Sequence, residues 1–361
     1  MALCVGVANA QYTVEILHSP LVPASSSYGA GAGGGQQVGH TNQFLVGPSH
    51  ALLWQGTANS LVDLHPAGWD ASYAMATDGV RQVGWRERHT GNTGQFATMW
   101  SGSAKGWVDL HDPTYSETNA LGISGDVQVG YGFVQATGTT RAVMWQNSAS
   151  SIVSLHPTTG GIDRSWASAT DGQQQVGKAG HGGTYPRAAL WNGSAESYVD
   201  LHPEGYNTSE ALGVYDGQQV GWATFDGNAH AIVWSGSSKL FVDLNPGPDE
   251  EWGSRAFATN GNLQVGRARN VGSHFHAAAW EGTPQSYMNL HLLLPAEYSG
   301  EGAFSEAYGI DEFGNIVGWA RHIPTGANHA VLWVPVPEPS NVLLLGLSTL
   351  YLICRKRRRR P

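Results

Sequence analysis

Apolar and polar positions recur along this chain with a period of about 45 residues, which marks an internal repeat. An apolar Ala-x-x-Trp stretch ends at Trp54, Trp100, Trp145, Trp191, Trp234, Trp280 and Trp333. After six of these, ten residues on, comes the Leu of a Val-Asp-Leu-His-like strand: Leu64, Leu110, Leu155, Leu201, Leu244 and Leu290. The seventh has no sequel. Its counterpart stands at the other end of the chain, where Leu17 and His18 appear before any Trp. The repeat is therefore permuted.

Each unit reads as four strand-like pieces, a to d. Piece a carries Ser/Thr-x-Ala at Ala74, Ala120, Ala167, Ala211, Ala256 and Ala307, and piece b ends in Val-Gly at Gly39, Gly84, Gly130, Gly177, Gly221, Gly266 and Gly318. Piece c ends in the Trp, and d is the Val-Asp-Leu-His strand. Asp78-Gly79, Asp171-Gly172, Asp216-Gly217 and Asn260-Gly261 supply positive φ for tight a–b hairpins. Gly-Ser turns such as Gly102-Ser103 join c to d.

The spacing from the piece-a Ala to the piece-b Gly is ten residues in five units and eleven in a sixth, so the a–b and c–d hairpins are nearly fixed in length. The b–c and d–a connections vary. In a four-stranded antiparallel meander those two connections share an edge, so the variation falls on one face. The pattern predicts an all-β chain, a seven-bladed β-propeller of four-stranded blades over 11–334, closed by an N-terminal strand at Tyr12 to Leu17. An open solenoid is the alternative, but it would gain nothing from a displaced strand.

Composition agrees with many short strands and tight turns: 48 Gly, 14 Trp and 13 Tyr, with only 13% charged residues. The net charge of -9 includes six basic residues at Arg355, Lys356, Arg357, Arg358, Arg359 and Arg360, so the body alone stands at -9 minus 6, near -15. That argues against a nucleic-acid partner. The two cysteines, Cys4 and Cys354, lie in terminal apolar segments and provide no disulfide framework or thiolate metal site in the body.

Both ends read as addresses. Residues 1–10 end in Ala8-Asn9-Ala10 before Gln11, the pattern of a secretory signal cleaved between Ala10 and Gln11. No basic region precedes it, so the expectation is a start further upstream or a truncated sequence, against the alternative of an ordinary apolar N-terminus. Over 335–361 the chain runs Pro-Val-Pro-Glu-Pro, an apolar stretch from Val342 to Cys354, and the basic block. As a helix Ser340 to Cys354 would span about 22 Å, short of a hydrocarbon core of about 30 Å, with snorkelling arginines covering part of the difference. This tail resembles the PEP-CTERM sorting signal of bacteria, with Val336, Pro337, Glu338 and Pro339 as its motif. The resemblance implies export, temporary membrane anchoring through the C-terminal segment, processing by an exosortase, and release to the cell surface. An ordinary tail anchor is the alternative. Residues 12–333 resemble bacterial extracellular HAF-type repeats: His-Ala stands at His50, His230, His276 and His329, while Phe96, Arg141 and Arg187 replace the His and no unit carries the Phe.

The repeated Trp reads as blade-to-blade packing. The His opening strand c and the His closing strand d lie 15 residues apart, and a hairpin brings together His50 with His65, His276 with His291, and His329 with His18 across the seam. Such pairs invite a metal, yet no third ligand is evident, and hydrogen bonding or stacking at strand ends competes with that reading. Asp63, Asp109, Asp200 and Asp243 recur once per unit, as a structural carboxylate does. No catalytic residue, metal or cofactor is assigned. No GxSxG, HExxH or P-loop pattern occurs, though a polysaccharide lyase or hydrolase could assemble its groups across blades.

The variable face is the expected place of function. Its d–a loops carry Trp69, Tyr115, Tyr206, Trp252 and Tyr298, and its b–c loops Arg86, Arg88, His89, His181, Tyr185, His274 and His322. Aromatic platforms beside polar side chains suit sugar rings, so an extracellular polysaccharide or matrix polymer is the expected ligand. Packing of those aromatics against neighbouring blades, and a purely structural coat protein, stay open.

Overall fold

The structure is a computed structural model, described over residues 12–19, 26–42, 48–91, 93–180, 186–248, 252–270 and 274–336. It is a seven-bladed β-propeller: seven antiparallel four-stranded sheets, each ordered a-b-c-d. Blades 1 to 6 occupy 26–63, 71–109, 117–154, 164–200, 209–243 and 252–289. Blade 7 takes a, b and c from Ser305–Ile310, Ile316–Arg321 and Asn328–Pro335, and d from Tyr12–Ile16. Tyr12 pairs with Pro335 and Ile16 with Val331, and the Leu17 N–H continues the ladder to the Ala330 carbonyl at 2.8 Å. The signal-like residues Ala10 and Gln11, the motif residues Pro337, Glu338 and Pro339, and Arg355 to Arg360 lie outside the described residues; Val336, just inside them, is exposed. Among the described residues no helix is long and apolar enough to cross a membrane.

The core is a series of interblade layers. Each joins the Trp of one blade to the strand-d Leu of the blade before it, as Leu110 with Trp145 and Leu155 with Trp191. At the seam Leu17 fills the same place beside Trp54, so the closing junction is chemically like the others.

The invariant Val-Gly has a steric cause. In all seven blades the strand a–strand b register slips at a β-bulge just after the repeated Ala, or after Gly29 in blade 1. The bulge drives a strand-a carbonyl against the strand-b glycine, where a Cβ would stand 1.9 Å from the Glu210 oxygen at Gly221 and 1.8 Å from that of Tyr28 at Gly39. Gly29 itself escaped the Ser/Thr-x-Ala pattern; a Cβ there would meet Val317 at 2.5 Å. The turn chemistry also differs from expectation. Only Asp216-Gly217 has positive φ at both of its residues, 45° and 78°. At Asp78, Asp171 and Asn260 the side-chain oxygen accepts the amides two and three residues on, and only the following Gly turns left-handed.

Candidate functional site

Serine, histidine and aspartate meet at two blade junctions, and close variants of the set occupy others. Ser72 Oγ accepts the Ala51 N–H at 2.9 Å and lies 2.9 Å from His65 Nδ1; Ser209 does the same with Ala188 at 2.9 Å and His202 at 2.8 Å. Equivalent contacts join Thr118, Ser165, Ser305 and Ser27 to His111, His156, His291 and His18, while Asn245 serves Ser254 in blade 5. The Asp completes the unit: Asp63 accepts the His65 N–H at 2.8 Å and holds His50 Nδ1 at 2.7 Å. Ser, His and Asp are the residues of hydrolytic triads, but each set here ties one blade to the next, with the hydroxyl buried against a backbone amide.

The three expected imidazole pairs are in contact, each stacked at 4.0 Å. At the seam a third ring, His322, stacks on His329 at 4.7 Å, and Tyr298 Oη lies 2.8 Å from His329 Nδ1. Burial, and then the neighbouring imidazoles, pull His329 down to about 4, and burial with His276 does the same to His291. Among the described residues no group of three or more ligating side chains could hold a metal ion.

Of the five loop aromatics Tyr298 is buried, and Trp69, Tyr115, Tyr206 and Trp252 are half-buried. Tyr298 is 2% exposed in the layer between blades 6 and 7. Trp69 lies 4.0 Å from the Arg86 guanidinium and 4.4 Å from that of Arg88; these arginines belong to strand Gln82–Arg88 and not to a loop, and Arg86 is buried. Tyr115 packs against the layer between blades 2 and 3, and Trp252 sets its edge on Tyr287 at 5.7 Å. Tyr206 packs beside Phe241 and donates its hydroxyl to Asp243 at 2.8 Å. Each of the five thus makes packing contacts within the ring of blades. His181 and Tyr185 lie outside the described residues.

The sevenfold pattern breaks at the axis. Strand a lines it, and the residue before the repeated Ala faces, across the sheet, the residue after Val-Gly on strand b. These two positions differ from blade to blade. One arc is aromatic: Trp319 meets Tyr28 edge-on at 5.4 Å, Tyr28 stacks on His40 at 5.2 Å, His40 touches Tyr73 at 5.1 Å, and Tyr73 stacks on Trp85 at 5.0 Å. Burial lowers the His40 imidazole to about 4, so it is neutral at pH 7. The opposite arc is charged: Lys178 reaches Glu210 at 2.9 Å, Arg255 lies over Trp222 at 4.3 Å, and Arg267 pairs with Glu306. In most of these contacts strand b of one blade meets strand a of the next, so the residues form a wheel. It lies on the variable-face side of the bulges, because its strand-a members precede them.

Beyond the wheel, towards the a–b turns, the bulge residues and inner strands of all seven blades enclose a cavity of about 860 Å³. On its wall Tyr308 stacks on Phe257 at 4.7 Å. Its phenol is bonded to Glu306, and burial first, then the Glu306 charge, pushes its pKa up, so it keeps its proton. The wheel positions were missed in the sequence because no local motif marks them; the available signal was that two positions flanking an invariant Ala and Gly do not themselves repeat.

No protein-family model matches the chain, and no curated protein matches it. Solved propellers do. The β-propeller domain of the Trilobed protease from Pyrococcus furiosus, described as having an open velcro topology, aligns with TM-score 0.56 and 8% identity over 85% of this chain and 95% of that one. An oligogalacturonate lyase from Vibrio parahaemolyticus aligns with TM-score 0.54 and 10% identity over 92% and 99%. A prolyl endopeptidase aligns with TM-score 0.55 and 10% identity over 90% of this chain, which spans only 51% of that enzyme. At such identities the likeness is one of fold.

Proposed function

We propose that this chain is an exported, surface-sorted propeller whose axial wheel binds a glycan or matrix polymer without cleaving it. One observation carries the reading. Positions that the fold requires recur in blade after blade, whereas the wheel sets partly exposed aromatic rings on one arc and charged groups on the other. Rings offer faces to the C–H side of sugars, and carboxylates, amines and guanidiniums serve hydroxyls. The variable-face aromatics Trp69, Tyr115, Tyr206 and Trp252 then act as supports for the loops around the axis.

Absence of cleavage is supported by the state of the two carboxylates of the wheel. Glu306 and Glu210 are each ion-paired, and Tyr308 holds its proton, so neither carboxylate is an unengaged base. A polysaccharide-active enzyme is the second reading, favoured by the same charged arc, which assembles acidic and basic groups from several blades. The tail, through Val336 to Pro339 and Arg355 to Arg360, is proposed to direct export, membrane retention and exosortase processing.

The test is affinity electrophoresis of the purified protein through gels containing candidate polysaccharides, with the polymer afterwards sized. Retardation with unchanged polymer length supports the binding reading, shortening of the polymer replaces it with the enzyme, and no retardation by any glycan overturns both.

A further inference from the structure

Strands a and b of blade 6 set Arg255 directly opposite Arg267. Like charges in that relationship repel and cost the sheet stability. Arg267 has a carboxylate partner, Glu306, yet its Nε is buried without an acceptor. Among the described residues no carboxylate lies within ion-pair distance of Arg255; its guanidinium rests over Trp222. Burial, and next the charge of Arg267, hold Arg255 below its usual range. The arc thus carries three cations, Lys178, Arg255 and Arg267, against two anions, Glu210 and Glu306. Within this arc the cations outnumber the carboxylates by one, although Glu210 and Glu306 both act on Arg255 and the cavity beyond the wheel is lined by Asp78, Asp171, Asp216, Asp311 and Glu312. Glu306 and the Trp222 ring offset part of that repulsion, and an anion between the two guanidiniums would offset more.

We propose that Arg255 and Arg267 together receive the carboxylate of an acidic sugar, a hexuronate unit of an anionic polysaccharide, drawn into the axial wheel. The proposal rests on the glycan-binding reading and narrows it to one ligand class. Guanidiniums are planar forks that match a carboxylate bidentately, which a lysine at either position would not do. The surroundings fit a sugar ring: Trp222 on one side, the stacked Phe257 and Tyr308 on another, and Glu210 and Glu306 as acceptors for hydroxyls. A single excess charge in a cup lined by rings is a poor match for a polyphosphate backbone, which calls for a run of cations. No bond is made or broken.

The experiment titrates the purified full-length protein with three oligosaccharides of matched length: a polyuronate fragment, its methyl ester, and a neutral glucan. A sulfated glucan separates carboxylate from anion in general. The free uronate binds about tenfold or more tightly than its ester, and weakens as salt is added. Arg255→Met lowers affinity for the free uronate to that of its methyl ester, a larger loss than it causes for the neutral glucan, and Arg255→Gln does the same should the Met variant fold poorly. Because the substitution relieves a like-charge pair, the melting temperature stays level or rises; a lower melting temperature with intact uronate preference makes Arg255 structural and overturns the proposal. Equal binding of ester and acid overturns it while leaving the glycan reading in place, stronger binding of the sulfated polymer reassigns the anion, and failure of all four polymers defeats the underlying reading as well.

Discussion

Gln219 of strand b in blade 5 accepts the backbone N–H of Gly236, in the c–d turn of the same blade, at 2.8 Å. The same bond recurs from Gln37, Gln82, Gln128, Gln175 and Gln264 to their own c–d turns. Blade 7 has Ile316 at that position, and it has no c–d turn, because its fourth strand comes from the N-terminus. Replacing Gln219 with Ile removes the acceptor of this part-buried bond and costs about 1 kcal/mol in denaturant unfolding. Ile316→Gln places a polar group in a buried site with no turn to receive it and is destabilising by a similar amount.

The interblade lock predicts a local and general cost. Ser209→Ala deprives the buried Ala188 N–H of its acceptor and His202 of its partner. Unfolding free energy falls by about 1–3 kcal/mol, and glycan affinity does not change, which separates the lock from a catalytic or binding role.

Glycines of two kinds respond differently to a methyl group. Gly221→Ala forces a Cβ to within 1.9 Å of a backbone oxygen in a bulge that cannot retreat, and costs about 3 kcal/mol or more. Gly56→Ala meets open space and carries only the penalty of a φ of 81°, about 1–2 kcal/mol. Equal losses in thermal melts of the two variants contradict the steric account of Val-Gly.

The seam is acid-sensitive. His18, His329 and His322 stack where Tyr12–Ile16 closes blade 7, and burial and mutual repulsion lower His329 to about 4. The folded chain disfavours the proton that an unfolded imidazole, with a pKa near 6.5, accepts readily. The stabilisation is therefore complete above about pH 6.5 and is lost as pH falls towards 4. Melting temperature declines across that window, and imidazole NMR places the His329 midpoint higher in His322→Phe than in the parent chain.

Loop and axial aromatics separate by phenotype. Trp69→Ala opens a gap between Arg86 and Arg88 and lowers stability by about 2 kcal/mol, with glycan affinity retained in the folded fraction. Trp85→Ala, in the aromatic arc, weakens binding about tenfold with a smaller effect on the melting temperature. The reverse outcome returns the site to the loops.

Blade number, strand order and seam are legible in the repeat alone. Every blade must make the same contacts with its neighbours, so Trp and Leu had to recur ten residues apart, Val-Gly had to return in each blade, and Leu17 had to stand where a seventh fourth strand was missing. The repeat also held the stacked imidazole pairs, since a hairpin of fixed length brings residues 15 apart together. The rest depends on which residues the closed ring brings together. Trp69 and Tyr298 could have faced solvent or core as far as spacing goes; the layer between blades 6 and 7 buries Tyr298, and the arginines on the neighbouring strand b leave Trp69 half-buried. Arg255 and Arg267 meet across one hairpin, whereas Glu306 comes from the next blade and Tyr28 meets Trp319 only across the closed seam. A site at the axis is assembled by closing the ring from positions that do not repeat, and a periodic pattern carries no information about them.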